Sequence, residues 1–348
     1  MVREVQFGVD TFGDVTVDER GVPLPMPQVI RNVMAEGVHA DRHGVDSFNV
    51  GEHHRPDFAV SAPDVVLAGI AGQTSRIRLG SAVTVLSSDD PVRVYQRFAT
   101  LDGISGGRAQ ITVGRGSFIE SFPLFGFDLG DYEVLFEERL ELLARLREEG
   151  AVTWSGSTRG ALTNQQVYPT SESGSVPIWV GVGGSPESVV RAARHAMPLV
   201  LAIIGGSPGR FAPYVDLFHR ATDQLGVGRL PVGVHAPGFV ADTDAAAREQ
   251  YFPHFKAQRD KIGAERGWGP VTREQFEAEV DHGALHLGSP DTVARKIAHT
   301  IASLGLDRFD LKYSSGGLPH ELIMRNIELY GTEVIPRVRS LLARGVDV

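Results

Sequence analysis

The sequence predicts a single (β/α)8 TIM barrel, an α/β fold, and three observations carry that expectation. Eight short β-branched segments alternate with helical ones along the chain. Several strand segments are near-continuous apolar runs, as parallel strands covered on both faces require. No shift in composition divides the 348 residues, so residues 1–348 read as one domain. A plain barrel takes about 250 residues, and two insertions supply the excess. Residues 151–175 hold turn residues without a helical period, after strand 4 and its helix. Residues 251–288 hold charged, partly helical sequence around Gly-Trp-Gly-Pro, a lid-like insertion after strand 7. An open doubly wound sheet is the runner-up, because the same alternation fits it.

The strands are expected at 4–10, 46–52, 77–86, 108–114, 176–182, 198–203, 230–240 and 308–313. Between the first two, PQVIRNVMAEGVHADRHG places Val29, Ile30, Val33, Met34 and Val38 on one stripe of a helix. The helix DYEVLFEERLELLARLREEG is bounded by an aspartate cap and Gly150. SPESVVRAARHAM opens with Ser185 and then Pro186 at the first helical position. Three further helices follow, APYVDLFHRATDQLG, SPDTVARKIAHTIASLG and the C-terminal PHELIMRNIELYGTEVIPRVRSLLARG.

Composition narrows the chemistry. The chain has no cysteine, which removes disulfides, thiolate metal sites and a cysteine nucleophile, and fits a reducing compartment. Net charge is −9 without a Lys/Arg run, so nucleic acid is not an expected partner. MVREVQFGVD lacks the regions of a signal peptide. No apolar run approaches the roughly 20 residues that cross a bilayer. A cytoplasmic protein that does not enter the membrane is expected.

Barrel enzymes work at the C-terminal ends of their strands. There the sequence places EHHRPDF after strand 2, SSDDPVRV after strand 3, GRGSFIESFPLFG after strand 4 and GGSPES after strand 5. The last leads from a strand into a helix start, where N–H groups and the helix dipole favour an anion. Gly183 and Gly184 allow close backbone approach, the Ser185 and Ser188 hydroxyls can donate, and Arg115 offers a planar fork. The plainer reading is a tight βα turn with a good cap.

His53 and His54 are adjacent on a strand end, so they point to opposite faces and do not grip one ion together. No HExxH motif or facial carboxylate pair accompanies them, and no metal is expected. His53 is either a rim base or a filler of a polar pocket, with Glu52 and His54 pinning the loop. His235 lies inside strand 7, within reach of the mouth. Gly-Arg-Gly at 114–116 lacks the dinucleotide fingerprint spacing.

These rim segments, with TLDGISGGRAQITVGRG, PIWVGVGGSPESVVRAARHAMPLVL and HLGSPDTVARKIAHTIASLGLDRFDL, resemble the bacterial luciferase-like monooxygenases from about residue 4 to 340. The resemblance implies an eight-stranded barrel that binds reduced flavin mononucleotide (FMN), its phosphate against Arg115 and the Gly184–Ser185–Ser188 turn. It implies a non-prolyl cis peptide beneath the flavin at Ala82–Val83 and a catalytic role for His53, with His54 in support. Reduced FMN and dioxygen would give a peroxyflavin that oxidises a small organic substrate, the flavin coming from a separate reductase. Insertion 251–288 matches the family's mobile lid. Where luciferase itself has a reactive cysteine this chain has Gly114, which is expected to open space there; neither light emission nor an aldehyde substrate is carried over. The family's habit of pairing subunits suggests a homodimer, and apolar PDVVLAGIAG suits burial in its interface or equally against the barrel. The alternatives are a deazaflavin-dependent oxidoreductase of the same superfamily, a non-catalytic flavin-binding relative and a metal-dependent barrel hydrolase.

Overall fold

Residues 4–116 and 118–345 are described in the computed structural model, and eight parallel strands within them close into a barrel. The strands are Gln6–Thr11, Ser47–Val50, Arg78–Ser81, Ala109–Gly114, Ile178–Val182, Leu199–Ala202, Val232–Val240 and Arg308–Lys312. Strand 1 pairs with both strand 2 and strand 8, placing Asp10 between Asn49 and Lys312. That closure excludes the open sheet. Strand 3 continues after a break as Thr84–Val85, which pairs with strand 4.

The strands alternate more strictly than their composition suggests. Phe7, Val9, Phe48, Val50, Ile111, Val113, Phe309 and Leu311 are buried in one apolar core outside the barrel, under the helices. The intervening residues point inward and are polar. Arg308 donates to Asn49 at 3.1 Å and Gln110 to the same oxygen at 2.9 Å. Each of those bonds skips a strand, so it crosses the barrel interior. Gly80 is required there, because a Cβ would meet Asn49 Oδ1 at 2.4 Å and Gln110 at 2.8 Å. Arg308 pairs with Asp310 at 2.7 Å; burial raises the Asp310 carboxyl and the guanidinium opposes that shift.

Helix starts follow the expected chemistry. Asp90 caps Pro91–Ser105, Ser185 caps Pro186–Arg194 and Ser289 caps Pro290–Leu304, each with proline at the head. Two expectations need correction. Asp131 makes no cap bond; the helix runs Tyr132–Leu146 and stops before Gly150, entered through a 3₁₀ turn headed by Asp128. The C-terminal stretch is not one helix but His320–Leu329, a π turn at Tyr330–Val334, and Ile335–Arg344. Gly331 there packs on the His43 carbonyl, and Pro336 carries no N–H for a continuous ladder. Residues 151–175 contain a two-stranded antiparallel hairpin, Val152–Trp154 with Leu162–Gln165.

After strand 7 the chain forms helices Asp244–Arg266 and Arg273–His282 and the short strand His286–Gly288. The first helix opens upstream of residue 251, where the Thr243 side chain accepts from the Ala246 N–H. No helix among the described residues is long and apolar enough to cross a membrane.

Candidate active site at the barrel mouth

The loop after strand 2 is pinned by Glu52. Its buried carboxylate accepts the Val85 N–H at 2.9 Å with one oxygen and contacts His54 Nε2 at 2.9 Å with the other. The Glu52 N–H in turn donates to the Val83 carbonyl at 3.2 Å. Glu52 and His54 are thus supports, as the pinning reading holds. Replacing Glu52 with leucine strands a buried amide and is expected to cost about 1–3 kcal/mol. The check is a lower urea midpoint with an unchanged slope.

Ala82–Val83 is a cis peptide. The Val83 side chain forms a floor between strands 4 and 5, because a Cβ built on Gly114 meets it at 2.8 Å and one on Gly181 at 2.9 Å. Gly114 therefore does not open space: Val83 occupies it. Overpacking by Gly114→Ala is expected to cost about 1–3 kcal/mol in thermal or urea unfolding.

His53 follows Glu52 on the same loop and is 9% exposed. Its ring stacks on Phe58 at 4.4 Å and meets Phe12 and Phe118 edge-on at 4.6 and 5.3 Å. Neither ring nitrogen has a hydrogen-bond partner among the described residues. Burial in this aromatic wall pushes the imidazole down to about 4, opposed by the Asp14 carboxylate and reinforced by Lys312. At neutral pH it is an uncharged ring with one donor and one acceptor.

Beside it is a buried charge pair that spacing does not reveal. Lys312 Nζ meets Asp14 at 2.7 Å and Ser314 at 2.8 Å, over the Phe12 ring at 4.6 Å. Lys312 and hydrogen bonds from Ser314 and Gly316 hold the Asp14 carboxyl below its usual range. Helix Asp244–Arg266 reaches this network through Gln258, which donates to Asp14 at 3.2 Å and accepts from Ser315 at 2.7 Å. Glu265 pairs with Arg55 at 2.6 Å and Lys261 with Asp57, so the helix is tied to the His53 loop.

The strand 5 turn forms a second wall. The N–H groups of Gly183, Gly184 and Ser185 have no hydrogen-bond partner among the described residues. A Cβ on Gly183 would meet nothing within 4 Å, and Gly184 adopts φ +109°, a conformation that suits glycine. Ser185 differs from the expectation: its hydroxyl accepts the Ser188 N–H and donates to Glu187 at 2.7 Å, so it serves the cap. Ser188 keeps its donor, accepting only from Arg191 at 3.4 Å. Arg115 stands over Tyr132 and pairs with Glu133, whose other oxygen meets Arg191 at 2.9 Å. One carboxylate therefore bridges two guanidiniums beside a set of unpaired N–H groups.

The structure thus gathers His53, Val83, Arg115, Gly183, Gly184 and Ser188 at one end of the barrel, with Ala82 joined to Val83 by the cis peptide. Sequence reasoning missed Arg191, Glu133, Phe12, Asp14 and Lys312. Arg191 could have been found, since it lies one helical turn beyond Ser188. Among the described residues no group of three or more His, Asp or Glu side chains is placed to hold a metal ion.

Comparison with known proteins gives the following. The family profile described as luciferase-like monooxygenase matches residues 7–308. The 4-hydroxyprotoasukamycin monooxygenase of Streptomyces nodosus subsp. asukaensis is 26% identical, over 87% of this chain and 85% of its own. Two solved structures share the fold. The oxygenating constituent of 3,6-diketocamphane monooxygenase from Pseudomonas putida, in complex with FMN, aligns with TM-score 0.77 at 18% identity, covering 96% and 98% of the two chains. The coenzyme F420-dependent tetrahydromethanopterin reductase of Methanopyrus kandleri aligns with TM-score 0.71 at 21% identity, covering 96% and 99%.

Proposed function

The chain belongs to the luciferase-like monooxygenase family, and on that premise we propose that it is a flavin-dependent monooxygenase using reduced FMN and dioxygen to oxidise a small organic substrate. The observation that carries this reading is the strand 5 cradle. Three unpartnered N–H groups, the Ser188 hydroxyl and two guanidiniums converge beside an open backbone, the donor set a phosphate ester requires. Arg115, Arg191, Ser188, Gly183, Gly184 and the Ser185 N–H would hold the phosphate, and the Ala82–Val83 floor would support the ring. Bound reduced flavin supplies the electrons that activate dioxygen.

The chain's own residues do the rest. Phe12, Phe58 and Phe118 keep water from the reacting atoms. Neutral His53 offers an N–H and a lone pair to the oxygens of dioxygen and substrate, acting as hydrogen-bond partner or base. Residues 251–288, entered through helix Asp244–Arg266 and latched by Arg55 and Lys261, serve as the lid. No Gly-x-Gly-x-x-Gly fingerprint occurs in the chain, so a separate flavin reductase supplies the reduced cofactor. A homodimer would bury Val65, exposed on helix Pro63–Ala71.

The same fold in an F420-dependent reductase supports hydride transfer from a reduced deazaflavin as the second reading. Anaerobic titration with reduced FMN, riboflavin and coenzyme F420 separates the two. Tight FMN binding followed, on admission of air, by mass gain of one oxygen atom in a panel of ketones and phenols is the expected result. Binding of F420 without FMN would move the assignment to hydride transfer; binding of neither would end it.

A further inference from the structure

His235 is a rim histidine of a different kind from His53. Its Nδ1 lies 2.8 Å from Asp10 Oδ2, and Asp10 is fully buried on strand 1. A carboxylate only accepts, so Nδ1 carries the hydrogen, and in the neutral ring Nε2 then carries the lone pair. Nε2 has no partner among the described residues, and the side chain is not fully buried, being 13% exposed. The second Asp10 oxygen is buried without a partner. The imidazole lies nearly parallel to Phe12, at 17° and 5.9 Å, and Phe12 touches His53 with its edge. The two histidines therefore share one aromatic wall.

Their surroundings differ in the respect that matters for proton transfer. His53 feels the Asp14 carboxylate only at a distance and has none at hydrogen-bond distance, so a charge formed on it would stand in an aromatic pocket. An imidazolium at His235 would be stabilised by Asp10 at hydrogen-bond distance, the arrangement of an Asp–His pair. The other charged groups nearby are committed: Asp310, opposite His235 in the strand 7–strand 8 register, to Arg308, and Lys312 to Asp14. The wall thus holds two imidazoles that can take a proton, and only His235 has a carboxylate at hydrogen-bond distance behind it.

Resting on the monooxygenase reading, we propose that His235 is a catalytic base for a substrate bearing an acidic hydroxyl, a phenol or enol. The substrate O–H bond breaks and the Nε2–H bond forms. The electron pair stays on the substrate oxygen, giving a phenolate or enolate whose ring carbon is activated for oxygenation. The proton returns to oxygen as product forms. Asp10 is a positioning residue that holds the tautomer and the resulting charge.

The probe is 4-nitrophenol, titrated into the FMN-loaded protein at a pH well below its own pKa and followed by difference absorbance. Wild type is expected to bind it as the phenolate. His235→Phe, which keeps a ring against Phe12, is expected to bind it as the neutral phenol, with the phenolate band reduced about tenfold or more. Asp10→Asn should lose the band in the same way, and nitrogen-15 NMR of labelled histidine should show His235 leaving its single tautomer. A phenolate band that survives in His235→Phe overturns the proposal, as does wild type that leaves the probe unbound or binds it only as the phenol. FMN binding is read in the same samples. Its loss in wild type defeats the flavin reading, whereas loss of the band with FMN retained concerns His235.

Discussion

Replacing Arg115 with glutamine or Arg191 with alanine is expected to weaken FMN binding by about 10- to 100-fold each and to leave riboflavin binding nearly unchanged. Riboflavin lacks the phosphate, so the ratio of the two affinities isolates the contribution of the guanidiniums. Each charge-assisted hydrogen bond contributes about 1.5–3 kcal/mol, which sets the range. Glu133 makes the prediction sharper. Its carboxylate now bridges Arg115 and Arg191, so a phosphate must displace it or share both partners. Glu133→Gln removes that competing charge and should tighten FMN while leaving riboflavin alone. Arg191 also pairs with Glu137 at 2.5 Å, so its variant is checked for an unchanged fold by thermal unfolding. If FMN and riboflavin weaken together in the Arg115 variant, the phosphate does not sit in this cradle.

His53→Ala is expected to slow oxygenation about 10²- to 10⁴-fold while anaerobic binding of reduced FMN persists. The same variant has a signature that needs no substrate. Burial holds the His53 imidazole at about 4, against about 6.5 for an unfolded histidine. Between those values the unfolded chain binds a proton that the folded chain refuses. Stability is therefore complete above about pH 6.5 and falls with acidification toward pH 4, by roughly 3 kcal/mol from this residue. Urea midpoints at pH 7 and pH 5 should differ less in His53→Ala than in wild type. Some slope remains, because burial holds His286 at about 3. An unchanged slope would mean that His53 is not held neutral by its pocket, and its proposed role would lose its basis.

Much of the barrel can be read along the chain because its signals are local. Phe7, Val9 and the glycine between them alternate at the strand period, and Ser185-Pro186 announces a helix within two residues. The Gly183–Ser188 turn is legible for the same reason: strand end, glycines and cap are neighbours. The π turn at Tyr330–Val334 was not, since it depends on Gly331 meeting the His43 carbonyl across the fold. The space beside Gly114 was misread because Val83, from the adjacent strand, fills it.

What the sequence determined by itself is the βα alternation, the end of the barrel that carries the polar turns, and the absence of thiol chemistry. Tertiary structure alone decided which side chains meet there. Asp10 and His235 are 225 positions apart, Asp14 and Lys312 298, and no period connects them. Closing the barrel sets strand 1 against strand 8, and that single pairing brings Asp14 to Lys312 and helps bring Asp10 to His235. Periodicity shows which way a residue points; only closure of the sheet decides what it points at.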